Sequence, residues 1–104
     1  PNIDAVFCGN DAMAMGAYQA LAGAGKADKV KVFGFDGAAD VITAIKEGKV
    51  SATGMQFPQV MAQMAAVFAD EYIKGKRDFA QKIPVAVELV TFDNIDDYAA
   101  YGKK

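Results

Sequence analysis

Three polar side chains, Asn10, Asp36 and Gln56, each stand where a stretch with the pattern of a β-strand comes to its end. A side-chain amide both donates and accepts hydrogen bonds, and a carboxylate can accept from two neighbouring hydroxyls. Such groups suit a hydroxyl-rich ligand and carry no reactive nucleophile. Together they predict a site that binds its ligand without chemical change.

Catalytic chemistry lacks the residues that it needs in this sequence. The chain has no histidine, its serine Ser51 lies inside a predicted strand, and its one cysteine, Cys8, sits beside an apolar residue. The residues that would form a nucleophile activated by a neighbouring base are therefore missing from this sequence. The Gly-Ala-Gly-Lys stretch at residues 23–26 lacks the first glycine of a phosphate-binding loop and follows a helix, so it is predicted to end that helix. No His or Cys cluster supports zinc. We expect no enzyme, no metal and no cofactor.

The central element is the stretch Val-Lys-Val-Phe-Gly-Phe-Asp-Gly at residues 30–37. Its apolar residues predict a buried strand of a parallel sheet covered by helices on both faces. Open α/β sheets bind ligands at the carboxyl ends of their strands, so Asp36 is a candidate ligand contact and Gly37 allows the turn beside it. The alternative, that Asp36 caps the next helix or is a solvated loop acid, stays open on this stretch alone.

Two similar β-α units flank this strand. Residues 3–8 predict a strand, residues 9–11 a turn, and Asp11 an N-cap for a helix that ends at Gly25. The face of that helix expected to pack in the core carries Met13, Ala17, Ala20, Leu21 and Ala24. A short helix follows Asp36 and ends at Gly48, and residues 50–56 predict a third strand that ends on Gln56.

The remainder of the chain begins with a long helix from Pro58 to Lys74, where proline suits the first turn. One face of it carries the apolar residues Met61, Met64, Ala65, Phe68 and Tyr72. Residues 83–92 predict a fourth extended segment, and a tail runs from there to residue 104. The pattern as a whole is that of an α/β domain.

Composition narrows the class of protein further. With 104 residues, of which 53% are hydrophobic, the chain is one domain or a piece of one. A net charge of −2 with scattered Lys and Arg disfavours nucleic acid and anionic membranes as partners. The single cysteine cannot form an internal disulfide. The N-terminus has no initiator Met and no signal-peptide pattern, so we expect a processed chain or a fragment.

Three motifs carry a family resemblance: Asp-Ala-Val-Phe-Cys-Gly-Asn-Asp-Ala-Met at residues 4–13, Val-Phe-Gly-Phe-Asp-Gly at residues 32–37, and Gln56 two residues before Pro58. Over residues 3 to about 90, the chain resembles the C-terminal part of ribose-type periplasmic sugar-binding proteins of ABC importers. In that family Asn10, Asp36 and Gln56 match positions that hydrogen-bond sugar hydroxyls. The resemblance implies a sugar or polyol as ligand, a membrane permease as partner, and a periplasmic location.

The resemblance also implies an architecture. The fold would be flavodoxin-like, a three-layer parallel sheet forming part of the C-terminal lobe of a two-lobed protein that closes around its ligand. Residues 1–57 would belong to that lobe, residues 58–84 would be a helix and segment of the other lobe, and residues 85–104 a return strand and tail. Since the other ligand contacts of the family precede this stretch, the chain would hold under half of a site and leave surface for self-association. Phe57 departs from the polar residue common in ribose binders.

Effector-binding domains of LacI-type transcriptional repressors are the alternative, because they share the Asn-Asp and Gly-Phe-Asp patterns. Those domains commonly continue with a second acid where this chain has Gly37. They also carry a DNA-binding headpiece, for which this sequence offers no basic helix. Both features favour the importer over the repressor.

Overall fold

A computed structural model describes residues 2–102 of the chain, so residues 103 and 104 of the predicted tail lie outside it. Its strands are β1 (Ala5–Phe7), β2 (Lys31–Asp36), β3 (Ala52–Met55) and β4 (Glu88–Thr91). Its α-helices are α1 (Asp11–Gly23), α2 (Ala39–Lys46) and α3 (Pro58–Ile73), and two short 3-10 turns, Ile95–Asp97 and Ala100–Gly102, form the tail. None of the described helices is long and apolar enough to cross a membrane.

The four strands form one mixed sheet in the order β1-β2-β3-β4. The first three strands run parallel, as the two β-α crossovers require, but β4 runs antiparallel to β3. The chain leaves the sheet after Met55 and returns to it at Glu88, which pairs with Met55, so β4 has to run back the opposite way. The prediction of a purely parallel sheet was therefore wrong at its last strand.

Helices α1 and α2 lie on the same face of the sheet. Val32 packs with Ala14 of α1, while Met55 and Val90 join the α2 residues Val41 and Ile45 in the main core. The opposite face bears Phe7 and Leu89, which are 75% and 65% exposed, together with the half-buried Phe33 and Phe35. Residues 2–102 thus form two layers, a sheet with helices on one side, and not the three layers with helices on both faces that the sequence predicted.

Helix α1 begins differently from the prediction. Asn10, not Asp11, is its N-cap, and Asp11 is the first helical residue. The face that contacts the sheet carries Ala14, Ala17, Tyr18 and Leu21, while Met13 is 60% exposed. The helix is therefore rotated from the predicted phase, and Met13 lies outside the core.

Helix α3 stands away from this core, with none of its side chains buried. Its apolar face, as predicted from the spacing, lines a groove of about 320 Å³ against the segment that follows it, with Met64, Phe68, Ile83 and Val85 among the lining residues. Phe79 of that segment packs edge-on against Phe68, with ring centroids 6.0 Å apart. The molecule is consequently elongated, with dimensions of 59 × 30 × 18 Å.

Candidate functional site

The three predicted site residues occupy the same edge of the sheet. Asn10 follows β1 after a short turn, Asp36 is the last residue of β2, and Gln56 directly follows β3. Because β1, β2 and β3 are parallel and adjacent, their carboxyl ends meet at one edge. All three side chains are half-buried, which leaves them accessible to a ligand.

Asp36 and Gln56 contact each other directly. The Gln56 Nε2 group donates a hydrogen bond of 2.6 Å to Asp36 Oδ1, and the Gln56 backbone N–H donates to the Asp36 carbonyl over 3.0 Å. The first bond fixes which way the Gln56 amide points, so that its Oε1 and the second oxygen of Asp36 are acceptors. Two acceptors side by side suit the hydroxyls of neighbouring carbons in a sugar or polyol.

Asn10 combines a structural role with a free donor. Its Oδ1 accepts a hydrogen bond of 2.9 Å from the Met13 backbone N–H, which caps α1. This bond directs the oxygen towards the helix and leaves the Nδ2 group as a donor. The site therefore offers a donor beside the carboxyl end of β1 and acceptors at the ends of β2 and β3.

The backbone at Asp36 is unusual. Asp36 has a φ of 135° and Gly37 a φ of 85°. Residues other than glycine seldom adopt positive φ values of this kind. A side chain at residue 37 would also collide with Met55, whose Cγ would lie 2.7 Å from the added Cβ. Gly37 is therefore required here, as expected, while Asp36 is held in a conformation that must be supported by its surroundings.

A buried carboxylate supplies this support, and the sequence reasoning missed it. Asp11 is 1% exposed, and its Oδ2 accepts hydrogen bonds from the backbone N–H groups of Gly37 (2.9 Å) and Ala38 (2.7 Å). Its Oδ1 accepts from the Thr53 hydroxyl over 2.7 Å. The one hint in the sequence is Gly34 inside a strand, because such a glycine often marks close approach of another group. Here a Cβ at residue 34 would collide with Asp11 Oδ1.

The tail packs beside the same loop. The backbone N–H of Tyr101 donates to the Gly37 carbonyl over 2.8 Å, and Gly102 lies against the ring of Phe57. Tyr98 packs on the main core, and its hydroxyl bonds to the Glu88 carboxylate. That hydrogen bond is the largest cause that raises the pKa of Tyr98, and burial and the negative charge of Glu88 add to it.

Comparison with known proteins places this geometry in a family. Residues 1–77 match the model of the periplasmic binding protein domain. The ribose import binding protein of Salmonella typhimurium is 47% identical over 90 residues, which are 86% of this chain but 30% of that protein. The chain thus spans about a third of the length of the curated relatives it matches. The names of these relatives describe binding proteins and not enzymes, in agreement with the sequence prediction.

Solved structures agree with the fold. A solute-binding protein of an ABC transporter from Actinobacillus succinogenes, with bound D-allose, superimposes with a TM-score of 0.85 at 35% identity, covering 94% of this chain and 34% of that one. A solute-binding protein from Bacillus halodurans, with bound myo-inositol, gives a TM-score of 0.83 at 34% identity, covering 93% of this chain and 33% of that one. This chain belongs to the periplasmic binding protein family.

Proposed function

We propose that the chain is the part of an ABC importer's sugar-binding or polyol-binding protein that contributes Asn10, Asp36 and Gln56 to the ligand site. The observation that carries the proposal is the Asp36–Gln56 pair, whose hydrogen bond of 2.6 Å presents adjacent acceptors at the carboxyl ends of neighbouring parallel strands. Asn10 adds a donor beside the carboxyl end of β1, the neighbouring parallel strand.

The charge of the site supports a neutral, hydroxylated ligand. Asp36 is the one charged side chain of the three and already accepts from Gln56, so hydroxyl groups that donate to its other oxygen match it. Two of the solved relatives hold bound ligands of this kind, D-allose and myo-inositol. In the import route that we propose, a membrane permease receives the ligand, and the protein works in the periplasm.

The relatives also help to choose between an importer component and the alternative, a LacI-type repressor. Those reported above are named as import or solute-binding proteins, which supports the importer over an effector-binding domain of a LacI-type repressor.

The division of the chain between two lobes belongs to the same proposal. Residues 1–57 form part of one lobe, which we infer to be the C-terminal one, residues 58–84 belong to the other lobe, and residues 85–104 return to the first. In support, α3 has no buried side chain, and its apolar groove is lined by α3 and the segment after it and by no residue of the sheet. Strand β4, in contrast, pairs with β3 and so belongs to the sheet. The sheet face that carries Phe7 and Leu89, here called the bare sheet face, is uncovered. A third layer on this face, contributed by other parts of the complete protein, would complete the flavodoxin-like sandwich.

Titration calorimetry on the complete gene product tests the function. D-ribose, D-allose, L-arabinose and myo-inositol form the panel, with sodium sulfate as a ligand of different chemistry. We expect saturable binding of at least one member of the sugar and polyol panel. Replacing Asp36 by Ala should weaken that binding by about 1.5–3 kcal/mol, the range for hydrogen bonds to charged groups.

A matched control separates the site from a general effect of charge. Asp28→Ala also removes an acid, but an exposed one that lies just before the amino end of β2. This variant should bind as the wild type does. Failure of every sugar and polyol to bind, or equal affinities of the Asp36 and Asp28 variants, would contradict the proposal.

A further inference from the structure

The geometry points to Asp11 as a positioning residue for the ligand site, one that touches no ligand but holds the strained loop carrying Asp36 in its binding conformation. This inference rests on the proposed function, since it concerns the same site. It is carried by the bonds of one buried carboxylate to two elements that lie 26 and 42 residues away in the sequence.

The bonds of Asp11 fall where the site needs support. Two of them reach the N–H groups of Gly37 and Ala38, directly after the unusual φ of Asp36. The third reaches Thr53 on β3, three residues before Gln56. Asp11 therefore connects the start of α1, the loop after β2 and the strand before Gln56, which are the segments that carry the three site residues.

The surroundings of the carboxylate are built to admit it. Gly34 lacks the side chain that would collide with Asp11 Oδ1, and Ala14 is the neighbouring small residue on the same helix. No described buried side-chain nitrogen or oxygen is left without a hydrogen-bond partner. A group so enclosed cannot contact a sugar itself, so any effect on binding must pass through Asp36 and Gln56.

Removing Asp11 should release the loop. Without the acceptor, the N–H groups of Gly37 and Ala38 lose their partner, and the unfavourable φ of Asp36 loses its support. When a binding conformation is only partly populated, the measured affinity falls by that fraction. We expect Asp11→Ala to weaken binding of the panel ligand that the wild type prefers by about tenfold or more, which equals about 1.4 kcal/mol.

Asp11→Asn should restore much of the affinity. The amide oxygen can accept from the loop, and the Thr53 hydroxyl can turn to accept from the amide nitrogen. Ile45→Ala is the control, because it destabilises the main core through a cavity without touching the loop. The positioning role predicts that this control loses melting temperature while its affinity stays within about twofold of the wild type.

Thr53→Val is the fallback if Asp11→Ala fails to fold, because it deletes one bond of Asp11 and nearly conserves volume. Its affinity should fall further than that of Ile45→Ala, and NMR should show shifted amide signals of Gly37 and Ala38 in the ligand-free protein. Unshifted signals, or an affinity loss no larger than that of the control, would overturn the positioning role. If the wild type binds no panel member, the proposed function fails, whereas the amide shifts still test whether Asp11 holds the loop.

Discussion

Asn10 performs two tasks with the two ends of one side-chain amide. Its oxygen caps α1 through Met13, and its nitrogen is the donor that we assign to the proposed site. Substitutions can separate the two tasks, because aspartate keeps a capping oxygen and loses the donor, whereas alanine loses both. The distinction decides whether the residue belongs to the site or only to the helix.

We expect the free energy of unfolding of Asn10→Asp to lie within about 0.5 kcal/mol of the wild-type value, because aspartate and asparagine are comparable N-caps. Its affinity for the preferred sugar should nevertheless fall, since the donor is gone and a second negative charge is added to the proposed site. Asn10→Ala should lose about 1 kcal/mol of folding stability as well. Chemical denaturation and calorimetry on the same samples measure the two effects, and unchanged affinity in both variants would remove Asn10 from the site.

Single residues also show how much of the candidate site can be predicted from the sequence. The positions of Asn10, Asp36 and Gln56 follow from local patterns, because a strand that ends on a polar residue is visible in the sequence and parallel strands share an edge. The Asp11 contacts depend on partners 26, 27 and 42 residues away, which no local pattern encodes. Sequence reasoning gave Asp11 the capping role that the structure assigns to its neighbour.

At the scale of elements, the existence of each helix and strand was easier to predict than its orientation. Alternating residues at 83–92 indicated an extended segment but not its direction, which is set by where the chain returns to the sheet. The phase of α1 was missed because most of its residues are small and apolar on every side, so its composition barely distinguishes one face from another. Ala14 faces the sheet and Met13 faces outwards.

A pair of substitutions in α1 tests this corrected phase. Ala14→Asp should abolish folding or lower the melting temperature severely, because it places an unpaired charge in a site that is 0% exposed. Met13→Asp should be tolerated within about 1 kcal/mol, since an exposed residue in the first turn accepts a negative charge well. Thermal unfolding followed by circular dichroism compares them, and the reverse order of stabilities would restore the predicted phase.

The tail offers a test by pH. The hydrogen bond to Glu88 raises the pKa of Tyr98 above the ordinary tyrosine value of 10.0. A group whose pKa is raised by folding stabilises the fold below its ordinary pKa, and this stabilisation is lost as the pH climbs through the raised value. This hydrogen bond should therefore help to hold the tail at neutral pH and be lost as the pH rises above the ordinary tyrosine value of 10.0.

Ultraviolet absorbance of tyrosinate measures this titration, with Tyr98→Phe subtracted to remove the other three tyrosines. Glu88→Gln should lower the pKa of Tyr98 towards the ordinary value, because the amide carries no charge. Identical titration curves for Glu88→Gln and the wild type would show that the tail is held in another way.

At the scale of the whole molecule, the described residues are more extended than a compact domain. The radius of gyration is 17.4 Å, whereas about 13 Å is typical of a compact domain of 100 residues. Two features account for the difference: α3 projects from the core, and one sheet face carries Phe7 and Leu89 uncovered. Each is an apolar surface whose removal from water would be favourable.

Residues 1–104 produced alone should therefore self-associate, through the bare sheet face, and bind sugar weakly or not at all. Phe7→Lys combined with Leu89→Lys should shift the chain towards monomer, because two charges would have to be buried in the contact. Ile73→Lys is the matched control: its side chain is 82% exposed but lies at the end of α3, away from the sheet. Light scattering on the three chains at equal concentration gives the answer. A wild-type monomer that binds a sugar of the panel tightly would contradict both the open face and the incomplete site. Equal dissociation by both variants would show that the contact is not specific to the sheet face.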